Sequence, residues 1–210
     1  RFFRFIYINY FTWNKEMSDL KLEVTYFEKG GPKNTEKSLE IAKQYAELLN
    51  IKDIVLASTT GTVAENAKKF FDPIQYNVVI ITHAFYFTGR NMRQEFSEEK
   101  ITEFRQYGYK VHASTHAMSG IERGIRLNKE AWQFVDLYAK MLGFQFSQGV
   151  KVCIEIAATT CDSGLIPNLE RDIICVGGTG RGADTVCLIR PAPTSEFKTL
   201  RLKAILAKPI

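Results

Sequence analysis

Cysteine is scarce and widely spaced in this chain. Cys153, Cys161, Cys175 and Cys187 are the only four, and none forms a CxxC pair. That argues against a compact thiolate zinc site or a redox dithiol. Set among apolar neighbours, they read as buried free thiols of a cytoplasmic protein. A disulfide or shared metal stays open, because spacing in sequence does not give distance in space. Long apolar runs are missing too, so no membrane span is expected. The net charge is only +5, and six Lys or Arg against two Asp or Glu lie from Arg181 onward. Without a basic helix, or basic residues interleaved with exposed aromatics, that excess reads as solvated surface, and no nucleic-acid partner is expected. Repeats and low-complexity linkers are absent, which favours one domain over two.

What is present is ordinary globular material, 45% hydrophobic and 24% charged over 210 residues, enough to bury a large core. Residues 1–16 stand apart as an aromatic extension, with Phe2, Phe3, Phe5, Tyr7, Tyr10, Phe11 and Trp13. They lack the apolar core and cleavage site of a signal peptide. A peripheral strand, an interface arm and an artefactual extension upstream of Met17 all remain open. Residues 17–210 are expected to form a single α/β domain.

Short bursts of Val and Ile alternate with helix-period segments, the rhythm of a parallel sheet covered by helices. Leu22, Val24 and Tyr26 alternate with charged or polar neighbours as in a half-buried strand. Gly30-Gly31-Pro32 breaks the chain, and Asn34 or Thr35 caps a helix reaching about Leu49. Buried strands are expected at Asp53–Ala57, Val78–Thr82, Lys110–Ala113, Ile173–Val176 and Thr185–Ile189. Helices separate the earlier ones. One carries Val63, Ala67 and Phe70 on a face. Another starts at Ser97 with a Phe96/Ile101 hydrophobic staple and ends at Gly108. A third places Trp132, Val135, Ala139 and Leu142 together before Gly143. A fourth, Val150–Cys161, is apolar nearly all round and so buried on more than one side. The link Gly177–Asp184 is too short for a parallel crossover, so the last strand should run antiparallel.

Ligands of open α/β sheets gather beyond the strands' carboxyl ends. Four polar segments fall there: Ser58–Gly61, Thr82-His83, Ser114–Gly120 and Gly177–Asp184. The hydroxyls of Ser58, Thr59, Thr60 and Thr62, with Gly61 and the amides opening the next helix, can converge on a phosphate. A plain hydroxyl-rich cap would look the same. Gly178, Thr179, Gly180 and Arg181 form either a binding loop or a structural hairpin; Asp184 would oppose phosphate unless turned away. The loop lacks the Lys-Ser/Thr ending of a P-loop, and no helix follows it as a dinucleotide fingerprint requires. His112 and His116, four apart on a strand and loop, do not share a face and have no acidic ligand between them, so no metal site is expected. Glu155 and Asp162 are acid–base candidates, Glu155 the more so for its apolar neighbours, although a structural ion pair would read the same way.

Taken in order, Tyr26-Phe27-Glu28-Lys29 with Asn34-Thr35, Ala57–Gly61, Thr115–Gly120 and Gly177–Thr185 resemble the archaeal and bacterial family of pyruvate kinase alpha/beta-domain-like proteins. The likeness covers about Tyr26–Pro193. It implies the three-layer fold of the carboxyl-terminal domain of pyruvate kinase: a mostly parallel, five-stranded central sheet with one antiparallel edge strand. It does not imply pyruvate kinase activity, since the catalytic barrel has no counterpart here. In pyruvate kinases a Ser/Thr-rich loop of this domain binds the phosphate of a sugar-bisphosphate effector, and Ser58–Gly61 look like that loop. Stand-alone members are associated with flavin mononucleotide (FMN). The resemblance thus implies FMN with its phosphate on Ser58, Thr59, Thr60, Gly61 and Thr62. Its ring would be flanked by His83, Thr115, His116, Ser119, Gly178, Thr179, Gly180 and Arg181. A flavin-dependent oxidoreductase and a non-catalytic regulatory or structural homo-oligomer are the alternative readings.

Overall fold

The computed structural model describes residues 20–87, 89–90, 95–128 and 131–210. The aromatic extension 1–16 lies outside them. One seven-stranded sheet organises the chain: β1 (Thr25–Phe27), β2 (Asp53–Ala57), β3 (Asn77–His83), β4 (Lys110–Ser114), β5 (Ile173–Gly177), β6 (Thr185–Arg190) and β7 (Arg201–Pro209). Their order is β1-β7-β6-β5-β2-β3-β4. The five expected buried strands are contiguous within it. β2, β3, β4 and β5 are mutually parallel, and β6 is antiparallel to β5.

Three expectations about the sheet need correction. The sheet has seven strands rather than five, and its antiparallel strand is not the edge: β7 pairs antiparallel with β6, and β1 pairs parallel with β7. The first strand is also shorter than Leu22–Tyr26, because only Thr25–Phe27 lie beside β7.

The strands' period of two divides the core. Ile54, Leu56, Val78 and Ile80 face a layer made by α1 (Thr35–Leu48), α2 (Thr62–Ala67) and α3 (Glu98–Tyr107). Val55, Val79 and Ile81 face the opposite layer, with α5 (Phe134–Gln145) and α6 (Gln148–Asp162). A short α4 (Gly120–Leu127), not anticipated, joins β4 to that side. Because α6 lies between the sheet and α5, nearly all of Gly149–Thr160 is buried.

Local chemistry fixes the helix ends. Ser97 accepts from the Lys100 amide at 3.3 Å, with Phe96 and Ile101 both buried beside it. Gly108 closes α3 at φ 105°, a left-handed conformation costly for other residues. The start of α1 differs from expectation: Pro32–Asn34 form a 3₁₀ turn, and Asn34 makes no side-chain cap. Trp132 precedes α5, and Gly143 does not end it; only Ala139 and Leu142 of the expected face are buried. Phe70 falls just beyond α2, packed partly against the core. Among the described residues all four cysteines are free. No described helix is long and apolar enough to cross a membrane.

Candidate functional site

Parallel pairing of β2, β3 and β4 carries their following loops to one side of the sheet, as open α/β sheets do. The turn between β5 and β6 reaches the same side, since β5 is parallel to β2. Packing sets the shape of that turn. Gly182 lies against Pro32, where an added Cβ would overlap backbone atoms, and a Cβ on Gly178 would strike the Gly182 carbonyl. Both glycines therefore allow close backbone approach, while Gly180, at φ 62°, faces open space. Asp184 is fully buried and turned away from the ligand side: it accepts from the Gly31 amide at 2.8 Å and the Thr185 hydroxyl at 2.8 Å. The Ala183 amide donates to Thr35 Oγ1 at 3.1 Å. These bonds tie the turn to the Gly30-Gly31-Pro32 break.

A cleft of about 410 Å³ opens between the loops. Thr59, Gln148, Thr179 and Arg181 supply polar groups to its lining; His83, Phe87 and His116 supply rings. Phe87 stacks on His116 with centroids 4.8 Å apart and lies 4.1 Å from His83. The Arg123 guanidinium covers Phe87 at 4.1 Å, a cation–π contact that stiffens the wall. Arg181 pairs with Glu95 at the mouth. A small, largely apolar chamber of about 60 Å³ adjoins the cleft, sharing Thr59, His83 and His116 and adding Ser58, Thr82, Ser114, Thr115 and Glu155 beside Ile81, Val152 and Ile156.

A buried ion pair lies against the chamber, with Glu155 as its lining member. Lys151 and Glu155, one turn apart on α6, form an ion pair, and both are buried. Glu155 also accepts from the Met118 amide at 3.3 Å, while His116 Nδ1 stands 3.7 Å from its other oxygen. Burial pushes Glu155 above the usual carboxylate range, although Lys151 and the Met118 N–H pull the other way. Burial, then the Lys151 charge, drives His116 down to about 3. His83 is lowered as well, chiefly by desolvation. Near neutral pH the site thus holds an uncharged His116 imidazole, with Nδ1 3.7 Å from the Glu155 carboxyl group.

The structure gathers Ser58, Thr59, His83, Thr115, His116, Gly178, Thr179, Gly180 and Arg181 around chamber and cleft. Ser119 lines an adjoining groove with Phe87 and Thr115, and its buried hydroxyl has no partner among the described residues. The phosphate loop divides. Ser58 Oγ accepts from the Ala64 amide at 3.4 Å, a capping role. Thr60 and Thr62 bond each other at 2.9 Å in solvent, and Gly61, at φ 90°, packs toward Phe96. Thr59 alone of the five lines both cavities. His112 is elsewhere, bonded to Ser163 at 2.9 Å. Asp162 leaves the candidates, because its carboxylate holds the Thr194 amide and hydroxyl. Among the described residues no three His, Cys, Asp or Glu cluster as a metal site would require.

Sequence reasoning missed Phe87, Gln148, Lys151 and Glu95. The aromatic run Phe85-Tyr86-Phe87 and the four-residue spacing of Lys151 and Glu155 were the available signals.

No protein-family model matches the sequence. The chain is similar to two solved structures of pyruvate kinase from Cryptosporidium parvum. One is 14% identical, over 73% of this chain and 22% of that one, with TM-score 0.40. The other is 14% identical, over 68% and 20%, with TM-score 0.35. The chain spans about a fifth of the length of either.

Proposed function

We propose that the cleft binds a phosphorylated, ring-bearing small molecule, and that this molecule is FMN. The observation carrying the reading is the division of the lining: a stacked wall of His83, Phe87 and His116 on one part, and Thr59, Thr179 and Arg181 on another. Planar heteroaromatic rings stack on such walls, and phosphate takes charge-assisted bonds from guanidinium and hydroxyl groups. The volume of about 410 Å³ falls within the range of small-molecule sites. Asp184 is turned away; Glu95 lines the cleft and pairs with Arg181, so a phosphate there would share or displace that partner, and Arg181 has donors beyond those facing Glu95. The residues present therefore fit a flavin mononucleotide.

A second reading, catalysis, is favoured by the buried Lys151, Glu155 and His116 beneath the cleft. A bound flavin would supply hydride and electron transfer. The chain's own part would be to exclude water and to set an uncharged His116 imidazole near Glu155.

Titration calorimetry of the parent and of Arg181→Gln with FMN and riboflavin tests the binding reading. A charge-assisted hydrogen bond contributes about 1.5–3 kcal/mol, so the parent should prefer FMN roughly 10- to 100-fold, and the variant should lose most of that preference. Binding of neither ligand would overturn the flavin reading. Equal affinities in the parent would overturn the phosphate grip.

A further inference from the structure

A groove of about 300 Å³ adjoins the cleft, sharing Phe87 and His116 with it and lined further by Phe85, Tyr86, Ser119 and Arg123. Among the described residues its lining carries one positive charge, on Arg123, and no Asp or Glu; His116, driven down to about 3, is uncharged. The cleft differs, since there Glu95 already pairs with Arg181. The Arg123 guanidinium is half-buried, yet its N–H groups have no acceptor among the described residues. Phe87, with its ring centre 4.1 Å away, holds the group in place but offers no oxygen to it. Asp136 attracts Arg123 from a distance, but that carboxylate is engaged by Arg126. Five donors in a fixed fork are thus left for solvent or for a ligand.

A second group in the same lining lacks a partner. Ser119 is 6% exposed, and its hydroxyl neither caps α4 nor bonds any described residue. A hydroxyl buried without a partner is destabilising, so an acceptor that reaches it gains more than one that only replaces water. From these two unmatched donors we infer that the groove is a binding site for a small carboxylate with an apolar body, separate from the cleft and independent of what fills it.

Charge selects the carboxylate. A monoanion matches one guanidinium, and the planar carboxylate meets its fork with two parallel bonds. A phosphate dianion would leave negative charge uncompensated among aromatic side chains. The rest of the lining selects the body of the ligand. Phe85, Tyr86 and Phe87 supply ring surface to the groove, against which an aryl or short alkyl group packs. Gly124 keeps the space open, because a Cβ placed there meets nothing within 4 Å.

Two-dimensional amide NMR of the full chain, titrated separately with benzoate, benzyl alcohol and inorganic phosphate, tests the assignment. Benzoate should shift the Ser119, Gly120 and Gly124 amides with a dissociation constant near or below about 1 mM, which so few non-hydrogen atoms allow. Benzyl alcohol, which lacks the charge, should bind at least about tenfold more weakly, and phosphate should also be weaker than benzoate. Arg123→Gln should bring benzoate level with benzyl alcohol, while Arg123→Lys should keep part of the difference. Gly124→Leu, which fills the groove from an open position, should abolish binding and leave amides away from α4 unmoved. Arg171→Gln, before the amino-terminal end of β5 and so across the sheet from the groove, should change nothing. No shift with benzoate at about 10 mM overturns the inference, as does equal affinity for benzyl alcohol or phosphate. So do shifts confined to Thr179–Arg181 of the cleft, or benzoate binding that survives either Arg123→Gln or Gly124→Leu.

Discussion

Replacing Lys151 with Met should destabilise the protein strongly at neutral pH and much less in mild acid. Lys151 and Glu155 are 8 and 4% exposed, and among the described residues Lys151 is the cation bonded to the Glu155 carboxylate. Removing it leaves a buried acidic group with the Met118 amide as its hydrogen-bond donor among the described residues and the uncharged His116 ring 3.7 Å away, a change that costs about 3–5 kcal/mol in comparable pairs. With a urea slope of roughly 2–3 kcal/mol/M, the unfolding midpoint should fall by about 1–2 M. The pH dependence follows from Glu155, whose acidity burial already weakens. With Lys151 gone its folded-state value rises further. The folded variant then holds a proton that the unfolded chain releases above about 4.5. Stability supplied by that proton is present at pH 4.5 and is lost as pH climbs through the folded-state value. Urea titrations at pH 5, 6, 7 and 8 should show the gap between variant and parent widening upward. Lys151→Met with Glu155→Gln should recover most of the loss, since no charge is then stranded. A deficit of equal size at every pH, or no recovery in the double variant, would refute the idea that a buried charge underlies the effect.

Two further outcomes are expected. Gly149 opens α6 against β6, where an added methyl would overlap Thr185 Oγ1 and Cβ; Gly149→Ala should therefore cost about 1–3 kcal/mol and lower Tm by roughly 3–10 °C in a scanning calorimeter. His116, driven down to about 3, refuses a proton that the unfolded chain accepts below about 6.5. Stability is complete above 6.5 and falls as pH drops toward 3. His116→Asn should remove that part of the acid sensitivity in urea titrations, and the His116 ring signals of the parent should stay unprotonated down to pH 4 by NMR.

The central sheet was readable because parallel strands buried on both faces demand uninterrupted Val and Ile, as at Ile54–Leu56 and Val78–Ile81. The α3 cap was readable because Ser97, Phe96 and Ile101 act within one turn of helix. β7 was not, because Arg201, Lys203 and Lys208 sit on a strand partly open to water and carry the signature of a solvated tail. Missing β7 also misplaced β1 and the antiparallel strand, since both are defined by that neighbour. In the site, the strand-end loops followed from topology alone. Its floor did not: Lys151 and Glu155 come from a helix in another layer, and only tertiary packing carries them beneath His116. Thr60 and Thr62 show the converse limit, with hydroxyls in the expected loop whose rotamers pair with each other rather than with the cleft.

The strand order has a consequence for synthesis. Of the described strands β1 leaves the ribosome first, yet its partner among them is β7, whose matching residues come about 180 positions later. At 5–20 residues per second that wait is roughly 10–40 s, far longer than a hairpin needs to form. β2, β3 and β4 emerge in succession and can pair as they appear, whereas β1 stays an unmatched strand until β7 has been made. A chain released before Arg201 would leave β6 as a raw edge and β1 with no sheet to join, the form most open to capture by a protease or by another nascent copy.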